Sequence, residues 1–585
     1  MTKQLLVLGC SQTKRDSPGL LPAIDRYDGS AYRVLRNYLR ECEWPGQLSV
    51  AILSAKYGLV GGLTEIELYD QRMTKEMAAS LAPGCTATLT AWASEHSSIH
   101  LSLGKDYLPA VQPAIDQQIK QKADIFYGPI GMKLAQIKGL LEKTGSPKRR
   151  KSTILEPGSG NVSYFLPDWD DLLDERFDFE GDQFSGKSRE DRNDKHCCVL
   201  MKPKRMCDGV VVSLAQHVTS KGPLRRIFGT ESNSLAPRNL RSFFGLDRDQ
   251  QLFGDCGAFS YVNEQNPEIS VEQAVSLYEL HGFDFGASVD HIPVESITRD
   301  GERTTLTRHQ RLGRVRTTIR NAESFIELVR KRNASFTPVG TIQGLDAKSY
   351  GDAVRVYHDL GYRHLAIGGL VPLQDAAIEE IVTEVMRVIS SLKPRPWVHL
   401  FGVFRPKLQP KFRQLKVDSF DSASYFRKAW LRSDQNYLGI DGKWYTALRV
   451  PMTSDGRTRK KLEQSGIDPI TLEAQEKLVL KKLSQYGRHR VGLRETVDAV
   501  IEYDECLTRS SDARSMRAKY ERTLTERPWE KCDCPFCKEL GIHALIFRGS
   551  NRNKRRGAHN TLMLYGSLCP RSSSQHSSCR SQKQN

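Results

Sequence analysis

The sequence has no long hydrophobic run. None of its apolar stretches approaches the roughly 20 residues that a membrane-spanning helix needs, so we expect no membrane anchor. The opening stretch, Met1 to Cys10, contains one lysine and an apolar run that is too short for a secretion signal. That run predicts a first buried strand instead. We therefore expect a cytoplasmic protein that does not associate with membranes.

The sequence also lacks the pattern of a disulfide-stabilised protein. Its 13 cysteines are scattered over 585 residues without a secretion signal, which favours reduced thiols and a metal site. Hydrophobic residues make up 39% and charged residues 26%, as in soluble globular proteins. The formal net charge of +17 favours a polyanionic partner, although charge alone does not identify one.

The chain is long enough for roughly two to four domains, and its composition indicates that the first ends near residue 145. In that region Gln4–Leu8 and Leu48–Leu53 predict strands, and Ala31–Tyr38 predicts a helix. Residues 1–145 therefore predict a small α/β domain. The sequence does not reveal its role.

Both predicted strands of this domain run into loops that are rich in small, polar and lysine residues. The loops are Cys10 to Lys14 and Ser54 to Val60. They either form an anion or nucleotide pocket at the ends of the strands or are ordinary turns, and both interpretations remain open. With Tyr69-Asp70 they resemble a short block found in archaeosine synthases, which does not tell us what the domain does.

Residues 146–196 differ in composition from the segments on either side. Ser146 to Ser152 is basic and contains a proline, as linkers often do. The stretch from Asp168 to Arg192 is acidic and poor in aliphatic residues, so it predicts an exposed, weakly ordered arm. At the other end of the chain, residues 569–585 are rich in serine, glutamine and arginine and predict a disordered tail.

From Asp208 onward, strands and helices alternate. Such alternation predicts a parallel sheet, either doubly wound or closed into a barrel. The predicted strands are Val210–Leu214, Gln251–Gly254, Phe285–Val289, Thr337–Ile342, His364–Ile367 and Val398–Gly402. The predicted helices are Val271–Leu280, Ala322–Val329, Tyr350–Leu360 and Ala376–Ser390.

Loops with acids, an amide or glycines follow these strands. Asp255, Asp290, Gln343 and the pair Gly368-Gly369 each come directly after a predicted strand or within a few residues of its end. Loops that follow the strands of a barrel converge on one face, so these residues favour a barrel over an open sheet.

The segment Val417 to Tyr425 contains the main catalytic candidate. Asp421 follows the apolar Phe420 and precedes three small residues, so its carboxylate would lie open to a ligand at the end of a buried strand. In a barrel, that end of the strand is the catalytic face. The alternative is a cap on the next helix, because Asp-Ser is a common N-cap pair. The local sequence favours the cap, and the rest of the chain favours the catalyst.

Three cysteines and a histidine near the C-terminus predict a metal site. Cys532, Cys534 and Cys537, with the distant His559, can close a tetrahedral zinc site that is structural because no position is left open. His543 is an alternative fourth ligand, but the apolar residues around it indicate a strand.

The segment between these ligands is basic. It predicts either an arm that grips phosphates or a solvated charged loop. Its basic residues are Arg548, Arg552, Lys554, Arg555 and Arg556.

Taken together, these motifs occur in the order found in tRNA-guanine transglycosylases, which the chain resembles from about Asp208 to Tyr565. The resemblance implies a TIM-like (β/α)8 barrel over residues 197–568, with a zinc-binding insertion near its C-terminal end. It also implies a glycosyltransferase that exchanges guanine in a nucleic acid for a 7-deazaguanine. The matching motifs are Asp255-Cys256-Gly257-Ala258-Phe259, Gln343-Gly344, Gly368-Gly369-Leu370, Phe420 to Tyr425, and the cysteine cluster with His559-Asn560.

The same resemblance implies a role for each candidate residue. By position, Asp421 resembles the nucleophile and Asp255 the general acid and base. Base contacts are implied for Asp290, Gln343, Gly368 and Gly369, and zinc ligation for Cys532, Cys534, Cys537 and His559. These roles suit the chemistry, because displacement at C1′ needs an anionic nucleophile and the departing purine needs a proton. The alternatives are a strand-end cap for Asp290 and a solvated loop amide for Gln343.

The chain also departs from the tRNA enzymes, because it has a long N-terminal extension and no room after the cysteine cluster for an appended RNA-binding domain. Its acidic entry from Phe165 to Asp171 resembles the DNA-modifying branch, the DpdA proteins, which insert 7-cyano-7-deazaguanine (preQ0) into DNA. We therefore expect DNA as the substrate. The alternatives are the same chemistry on tRNA and a non-catalytic nucleic-acid-binding homologue, which the retention of Asp255 and Asp421 disfavours. The need for an ATPase or helicase partner remains open.

Overall fold

The computed structural model describes residues 3–568 except 18, 43, 145–156, 159–161, 169–170, 216–234, 236–238, 432–433, 455, 457–467 and 509. The predicted basic linker at 146–152 and the predicted tail at 569–585 lie outside the described residues. Among the described helices, none is long and apolar enough to cross a bilayer.

The chain forms two compact units that each draw on several segments. The first unit comprises Met1–Gly160, Gly209–Phe243 and Asp247–Asp421. The second comprises Asn161–Asp208, Phe244–Leu246 and Ser422–Asn585. The predicted N-terminal α/β domain and most of the predicted barrel therefore belong to the same unit.

The N-terminal part of the first unit is a doubly wound α/β fold. Its sheet has five strands in the order β3-β2-β1-β4-β5, and only β3 runs antiparallel to its neighbour. The strands are β1 (Gln4–Gly9), β2 (Leu48–Ser54), β3 (Gly58–Gly61), β4 (Ser98–Ser102) and β5 (Ala123–Ile125). Helices Ser30–Glu41 and Ile130–Lys143 pack on one face and Lys75–Glu95 on the other. The predicted strands and helix of this domain are confirmed.

Short elements complete this part of the chain. They are Leu21–Pro22 paired with Glu65–Ile66, the turn of helix Ala23–Arg26, and the helical turns Leu108–Ala110, Gln112–Ala114 and Ile115–Ile119.

A closed eight-stranded barrel confirms the predicted TIM-like fold. The strands are β6 (Ser163–Pro167), β7 (Gly209–Ser213), β8 (Gln251–Asp255), β9 (Phe285–Ala287), β10 (Thr337–Ile342), β11 (His364–Ile367), β12 (Trp397–Leu400) and β13 (Ser419–Asp421). The order around the barrel is β7-β8-β9-β10-β11-β12-β13-β6. Successive strands from β7 to β13 pair in parallel, so the loops after them open on one face.

Strand β6 was not predicted, and the stretch after it, Asp168 to Arg192, contains buried acids and is therefore not the exposed, weakly ordered arm that we predicted. Tyr164, Phe165 and Leu166 are buried, and so are the nearby carboxylates of Asp171 and Asp174. Acids follow the apolar triplet from Asp168 onward, and their charge concealed a strand that the barrel needs for closure.

Helices follow most of the barrel strands. They are Leu240–Phe244, Val271–Leu280, Arg308–Arg332, Ala347–Asp359, Asp375–Ser391 and Gln409–Gln414, the last preceded by the 3-10 turn Pro406–Leu408. A hairpin of Ser296–Arg299 and Glu302–Thr305 precedes the helix Arg308–Arg332. That helix begins well before the predicted Ala322, because a Thr307–Gln310 capping box fixes its start in a segment with little apolar periodicity.

An aromatic layer fills the barrel interior below its carboxyl end. The rings of Phe285 and Trp397 stack with centroids 5.5 Å apart, and Phe253 packs against both. His399 stacks on Trp397 at 5.9 Å and contacts Phe253 at 5.0 Å. This layer gives the residues above it a rigid floor.

The N-terminal domain contacts two helices of the barrel through a buried polar cluster. Asp25 accepts a hydrogen bond from Ser276 and forms an ion pair with Arg332 at 3.5 Å. Arg15 binds the other oxygen of Asp25 at 2.6 Å. The carboxylate is buried and paired, so the loss of either arginine would leave a buried charge uncompensated at this contact.

The second unit is mainly helical. Its helices are Arg189–Arg192, Cys197–Met201, Ser424–Lys428, Pro469–Gly487, Leu493–Glu505, Ser510–Ser515, Arg517–Glu526, Pro535–Leu540 and Ser550–Leu568, with a 3-10 turn at Gly541–Leu545. Its short strand pairs are Leu172–Leu173 with Lys195–His196, Tyr437–Leu438 with Trp444–Tyr445, and Leu448–Arg449 with Ile546–Phe547.

Candidate active site and metal centre

Three carboxylates lie at the carboxyl ends of barrel strands. Asp255 ends β8, Asp421 ends β13, and Asp290 lies a few residues after β9. The carboxylate oxygens of Asp255 and Asp290 and the sulfur of Cys256 all lie within 4.8 Å of one another. The structure therefore places the predicted catalytic and base-binding acids on the catalytic face of the barrel.

Two hydrogen bonds hold Asp421 in place. The backbone N–H of Gly402 and Nε2 of His399 donate to its Oδ1 at 2.8 and 3.1 Å. The hydroxyl of Ser419 lies 2.8 Å from Nδ1 of His399, so the imidazole is anchored from the other side. The next helix begins at Ser424 after Ala423 and has no side-chain cap. The alternative interpretation of Asp421 as a helix cap is therefore wrong.

Asp255 is an acid with a raised pKa. Burial raises its pKa to about 8, with help from the negative charges of Asp290 and Asp421 and against backbone hydrogen bonds from Gly257 and Cys256. A carboxyl group with a pKa near the working pH can both donate and accept a proton. This property suits a general acid and base.

Asp290 and Gln343 form a buried pair. Nε2 of Gln343 donates to Oδ2 of Asp290 at 2.6 Å, and the thiol of Cys256 donates to Oδ1 at 2.8 Å. Burial raises the pKa of Asp290, although both hydrogen bonds oppose that rise. Oε1 of Gln343 is buried without a hydrogen-bond partner among the described residues. A buried acceptor without a partner is costly, and a ligand donor would satisfy it.

Gly368 and Gly369 leave the space in front of this pair open. A Cβ atom at Gly368 would collide with Nε2 of Gln343, and one at Gly369 would collide with its Oε1. Gly369 also has a φ of +74°, which side chains rarely adopt. A side chain at either position would push the backbone away from the amide of Gln343. With glycine at both positions, a flat ligand can approach that amide.

The four predicted metal ligands lie together in the second unit. Nδ1 of His559 is 3.6 Å from the sulfur of Cys532, 3.5 Å from that of Cys534 and 3.4 Å from that of Cys537. A tetrahedral zinc ion with ordinary Zn–S and Zn–N bonds requires sulfur-to-nitrogen distances of roughly 3.6 Å. All four side chains are buried, so this group could hold a metal ion.

Neighbouring groups orient these ligands. Nε2 of His559 donates to the carbonyl oxygen of Leu438 at 2.8 Å, which turns Nδ1 toward the sulfurs. The ring of Tyr437 stacks on His559 with centroids 4.1 Å apart, and its hydroxyl lies 3.2 Å from the sulfur of Cys537. Asn560 accepts from the N–H of Leu438 at 2.9 Å. Tyr437 could not be singled out from the sequence, since only the fold brings it to the cluster.

His543 is not part of this group. It lies in the 3-10 turn Gly541–Leu545, so the strand that we predicted around it is wrong. Its Nε2 lies 3.6 Å from a carboxylate oxygen of Glu180.

The prediction that the basic segment grips phosphates is wrong. Arg548, Arg552, Arg555 and Arg556 are all at most 4% exposed. Arg548 and Arg552 pair with Asp182, and Arg556 donates to the carbonyl oxygens of Ala544 and Ile546 at 3.1 and 3.0 Å. Lys554, the remaining member, donates to the carbonyl oxygen of Leu172 at 3.3 Å. These cations therefore bind carboxylates and carbonyl oxygens of the chain itself.

The two lysine-containing loops of the N-terminal domain meet at the carboxyl ends of β1 and β2. The ammonium groups of Lys14 and Lys56 lie 4.5 and 5.8 Å from the centre of the Tyr69 ring. The hydroxyl of Tyr69 bonds to Ser54 at 2.8 Å and to Tyr27 at 2.7 Å. The loops therefore form one cluster, and the choice between a pocket and ordinary turns stays open.

A match to a known protein covers most of the chain. A protein from Salmonella montevideo described as a DNA-guanine transglycosylase is 35% identical over 414 residues, which are 70% of this chain and 96% of that protein. The model of the queuine tRNA-ribosyltransferase family matches residues 255–445, a range that includes Asp255, Asp290, Gln343 and Asp421.

Matches to tRNA enzymes are shorter. A tRNA-guanine(15) transglycosylase from Pyrococcus abyssi is 30% identical over 197 residues, which are 32% of this chain and 30% of that enzyme. One from Nanoarchaeum equitans is 28% identical over 193 residues, which are 32% of this chain and 42% of that enzyme. The chain therefore spans less than half the length of these tRNA relatives.

Proposed function

Because the chain belongs to the guanine transglycosylase family, we propose that it exchanges guanine in DNA for a 7-deazaguanine, with 7-cyano-7-deazaguanine (preQ0) as the base inserted. The choice of DNA over tRNA rests on how much of each relative's length this chain matches. The match to the DNA enzyme extends over 96% of that protein, whereas the match to the Pyrococcus abyssi tRNA enzyme extends over 30% of its length.

Asp421 is the proposed nucleophile. Both described hydrogen bonds to its carboxylate converge on Oδ1, so Oδ2 is left to attack C1′ of the target nucleotide. The new bond forms between Oδ2 and C1′, the bond from C1′ to N9 breaks, and its electron pair leaves with guanine. The incoming base then displaces the aspartate through its own N9.

Asp255 is the proposed proton carrier between the two half-reactions. It enters the reaction protonated, because its pKa is raised to about 8, and it gives that proton to the departing guanine. The incoming 7-deazaguanine carries a proton on N9, which Asp255 takes up when the new glycosidic bond forms. The residue therefore ends each cycle in the state in which it began.

Asp290 and Gln343 are the proposed readers of the purine. The N1–H and 2-amino groups of guanine are donors, and the carboxylate of Asp290 can accept both. The free Oε1 of Gln343 can accept a further hydrogen bond. Gly368 and Gly369 allow backbone groups to reach the ring edge. Guanine and 7-deazaguanines share this donor edge, so one pocket can hold both the leaving and the entering base.

The cysteine and histidine group is the proposed site of a structural zinc ion. Three thiolates and one imidazole are the ligands that zinc prefers, and they leave no position for a substrate. Bound zinc would hold the hairpin at Tyr437 to the helix that carries His559. The chemistry of exchange would depend on the barrel carboxylates alone.

The DNA substrate has to present its target nucleotide outside the stack. C1′ and the donor edge of guanine are both hidden in a duplex, and the carboxylates lie at the carboxyl ends of the barrel strands, which we call the barrel mouth. Extruding a base costs a few kcal/mol, which contacts to the DNA backbone can offset.

Exchange of labelled guanine tests the proposal. Purified wild-type protein is incubated with duplex DNA or with total tRNA, and radiolabelled guanine or preQ0 is added. We expect label to enter DNA and not tRNA, and Asp421→Asn to abolish its entry. Label that enters tRNA but never DNA would show that the tRNA alternative is correct.

A further inference from the structure

A groove of about 720 Å³ lies between the hairpin after Asp290 and the long helix Arg308–Arg332. Its lining includes four arginines, Arg299, Arg314, Arg316 and Arg320, and no acidic residue. His291, the neighbour of Asp290, forms part of the same wall. We call this surface the arginine groove.

Backbone hydrogen bonds tie the arginine groove to the loops that carry the catalytic acids. Arg314 is buried and donates to the carbonyl oxygens of Val262 at 2.7 Å and of Ile292 at 3.0 Å. These carbonyls belong to the loop after Asp255 and the loop after Asp290. The groove is therefore held rigidly beside the active site, and Arg314 has a structural role in holding it.

The other three arginines face solvent. Arg299, Arg316 and Arg320 are exposed, and none of them forms an ion pair with any residue that the structure describes. Arg299 is held by one hydrogen bond from Nε to the carbonyl oxygen of Asn263 at 2.7 Å. Arg316 and Arg320 lie one turn apart on the helix, where like charges destabilise it by a few tenths of a kcal/mol. An anion bound between them would remove that cost.

We infer that the arginine groove binds backbone phosphates of the DNA next to the nucleotide in the active site. A guanidinium group can donate two parallel hydrogen bonds to one phosphate, and a groove without acidic residues does not repel the DNA backbone. The inference rests on the proposed function for the identity of the nucleic acid. Phosphate binding is thus inferred for the arginine groove and not for the basic segment near the metal centre, whose arginines are buried.

Paired variants test this inference by DNA binding. In Arg316→Gln/Arg320→Gln two exposed charges are removed from the groove. The control Lys331→Gln/Arg355→Gln removes two exposed charges elsewhere in the barrel, including the far end of the same helix. Fluorescence anisotropy with a labelled duplex is measured at several salt concentrations. Removing one arginine that binds a phosphate should lower the slope of log affinity against log salt by about 0.9.

We expect the groove variant to lose about tenfold or more in affinity at low salt and up to about two units of salt slope. The control should bind like the wild type. Equal losses in both variants would show that only net charge matters and would overturn the inference. Binding of the groove variant with wild-type affinity would overturn it as well.

The test separates this inference from the proposed function. If the wild type exchanges guanine in DNA and the groove variant binds and exchanges equally well, only the groove inference fails. If DNA binding depends on the groove but label enters only tRNA, only the proposed function fails.

Discussion

The barrel mouth and the metal-bearing unit use arginines and other polar groups in opposite ways. In the second unit Arg548, Arg552 and Arg556 are buried against carboxylates and carbonyl oxygens of the chain itself. At the barrel mouth Arg316 and Arg320 are exposed and have no ion-pair partner among the described residues. The comparison shows that runs of positive charge in a sequence do not reveal which cations are free to meet a polyanion.

The same contrast extends to the acids and amides. At the mouth, Oε1 of Gln343 lacks a partner among the described residues, and Asp255 keeps a proton that it can transfer. In the second unit, the thiols of the cysteine group lie against one imidazole that is itself anchored. The buried polar groups of the second unit bind one another, whereas the unpaired amide oxygen at the mouth faces the space where a ligand can bind. Variants of the two regions should therefore fail in different ways.

The largest effect should follow loss of a metal ligand. Cys534→Ala should lower the free energy of unfolding of the second unit sharply, because structural zinc contributes on the order of 10 kcal/mol to folding. Metal analysis and thermal unfolding measure this. Unchanged metal content with an unchanged melting temperature would show that the cluster holds no structural ion.

A buried arginine should come next. Arg556→Met leaves the carbonyl oxygens of Ala544 and Ile546 buried without their donor, so we expect a loss of about 3 kcal/mol in the free energy of unfolding. Arg316→Gln removes an exposed charge and should change it by less than about 0.5 kcal/mol. Urea unfolding of both variants measures the two changes. Equal losses in the free energy of unfolding would contradict the prediction.

A methyl group at the mouth should harm activity without harming the fold. Gly368→Ala places Cβ against the amide of Gln343, so we expect roughly a hundredfold loss of kcat/KM for base exchange, or about 3 kcal/mol of transition-state stabilisation. Gly139→Ala is the matched control, because a Cβ atom there meets nothing within 4 Å. A Gly368→Ala variant with the kcat/KM of the wild type would show that the base binds elsewhere.

The smallest effect concerns pH. Asp255 must carry a proton to release guanine, and its raised pKa of about 8 keeps that proton on at neutral pH. Above that pH, kcat/KM should fall about tenfold per pH unit as the acid ionises. In Asp255→Asn the rate should be low, but the alkaline fall should disappear. A fall that persists in the variant would assign it to another group.

Much of the barrel could be predicted from sequence, because its strands are apolar runs bounded by turns. Thr337–Ile342 and His364–Ile367 were predicted with the bounds that the structure shows. Strand β6 was missed, because the acids that follow its apolar triplet dominate the local composition. The helix Arg308–Arg332 was predicted only in part, because its first turns are basic and carry no apolar stripe.

The candidate site was predicted unevenly for a physical reason. Residues that follow strands, such as Asp255, Asp290 and Gln343, could be identified because a barrel collects strand ends on one face. The hydrogen bond between His399 and Asp421 could not be predicted, since the contact depends on the register between β12 and β13. The burial of Arg548 could not either, because its partner Asp182 is 366 positions away.

The central claim is that Asp421 forms a covalent bond to the DNA during exchange. The most direct measurement is to quench wild-type protein with an excess of labelled duplex DNA, digest the chain and map the modified peptide by mass spectrometry. We predict one deoxyribosyl adduct on Asp421, absent from Asp421→Asn and slow to form in Asp255→Asn. An adduct on another residue, or guanine exchange that continues in Asp421→Asn, would contradict the account.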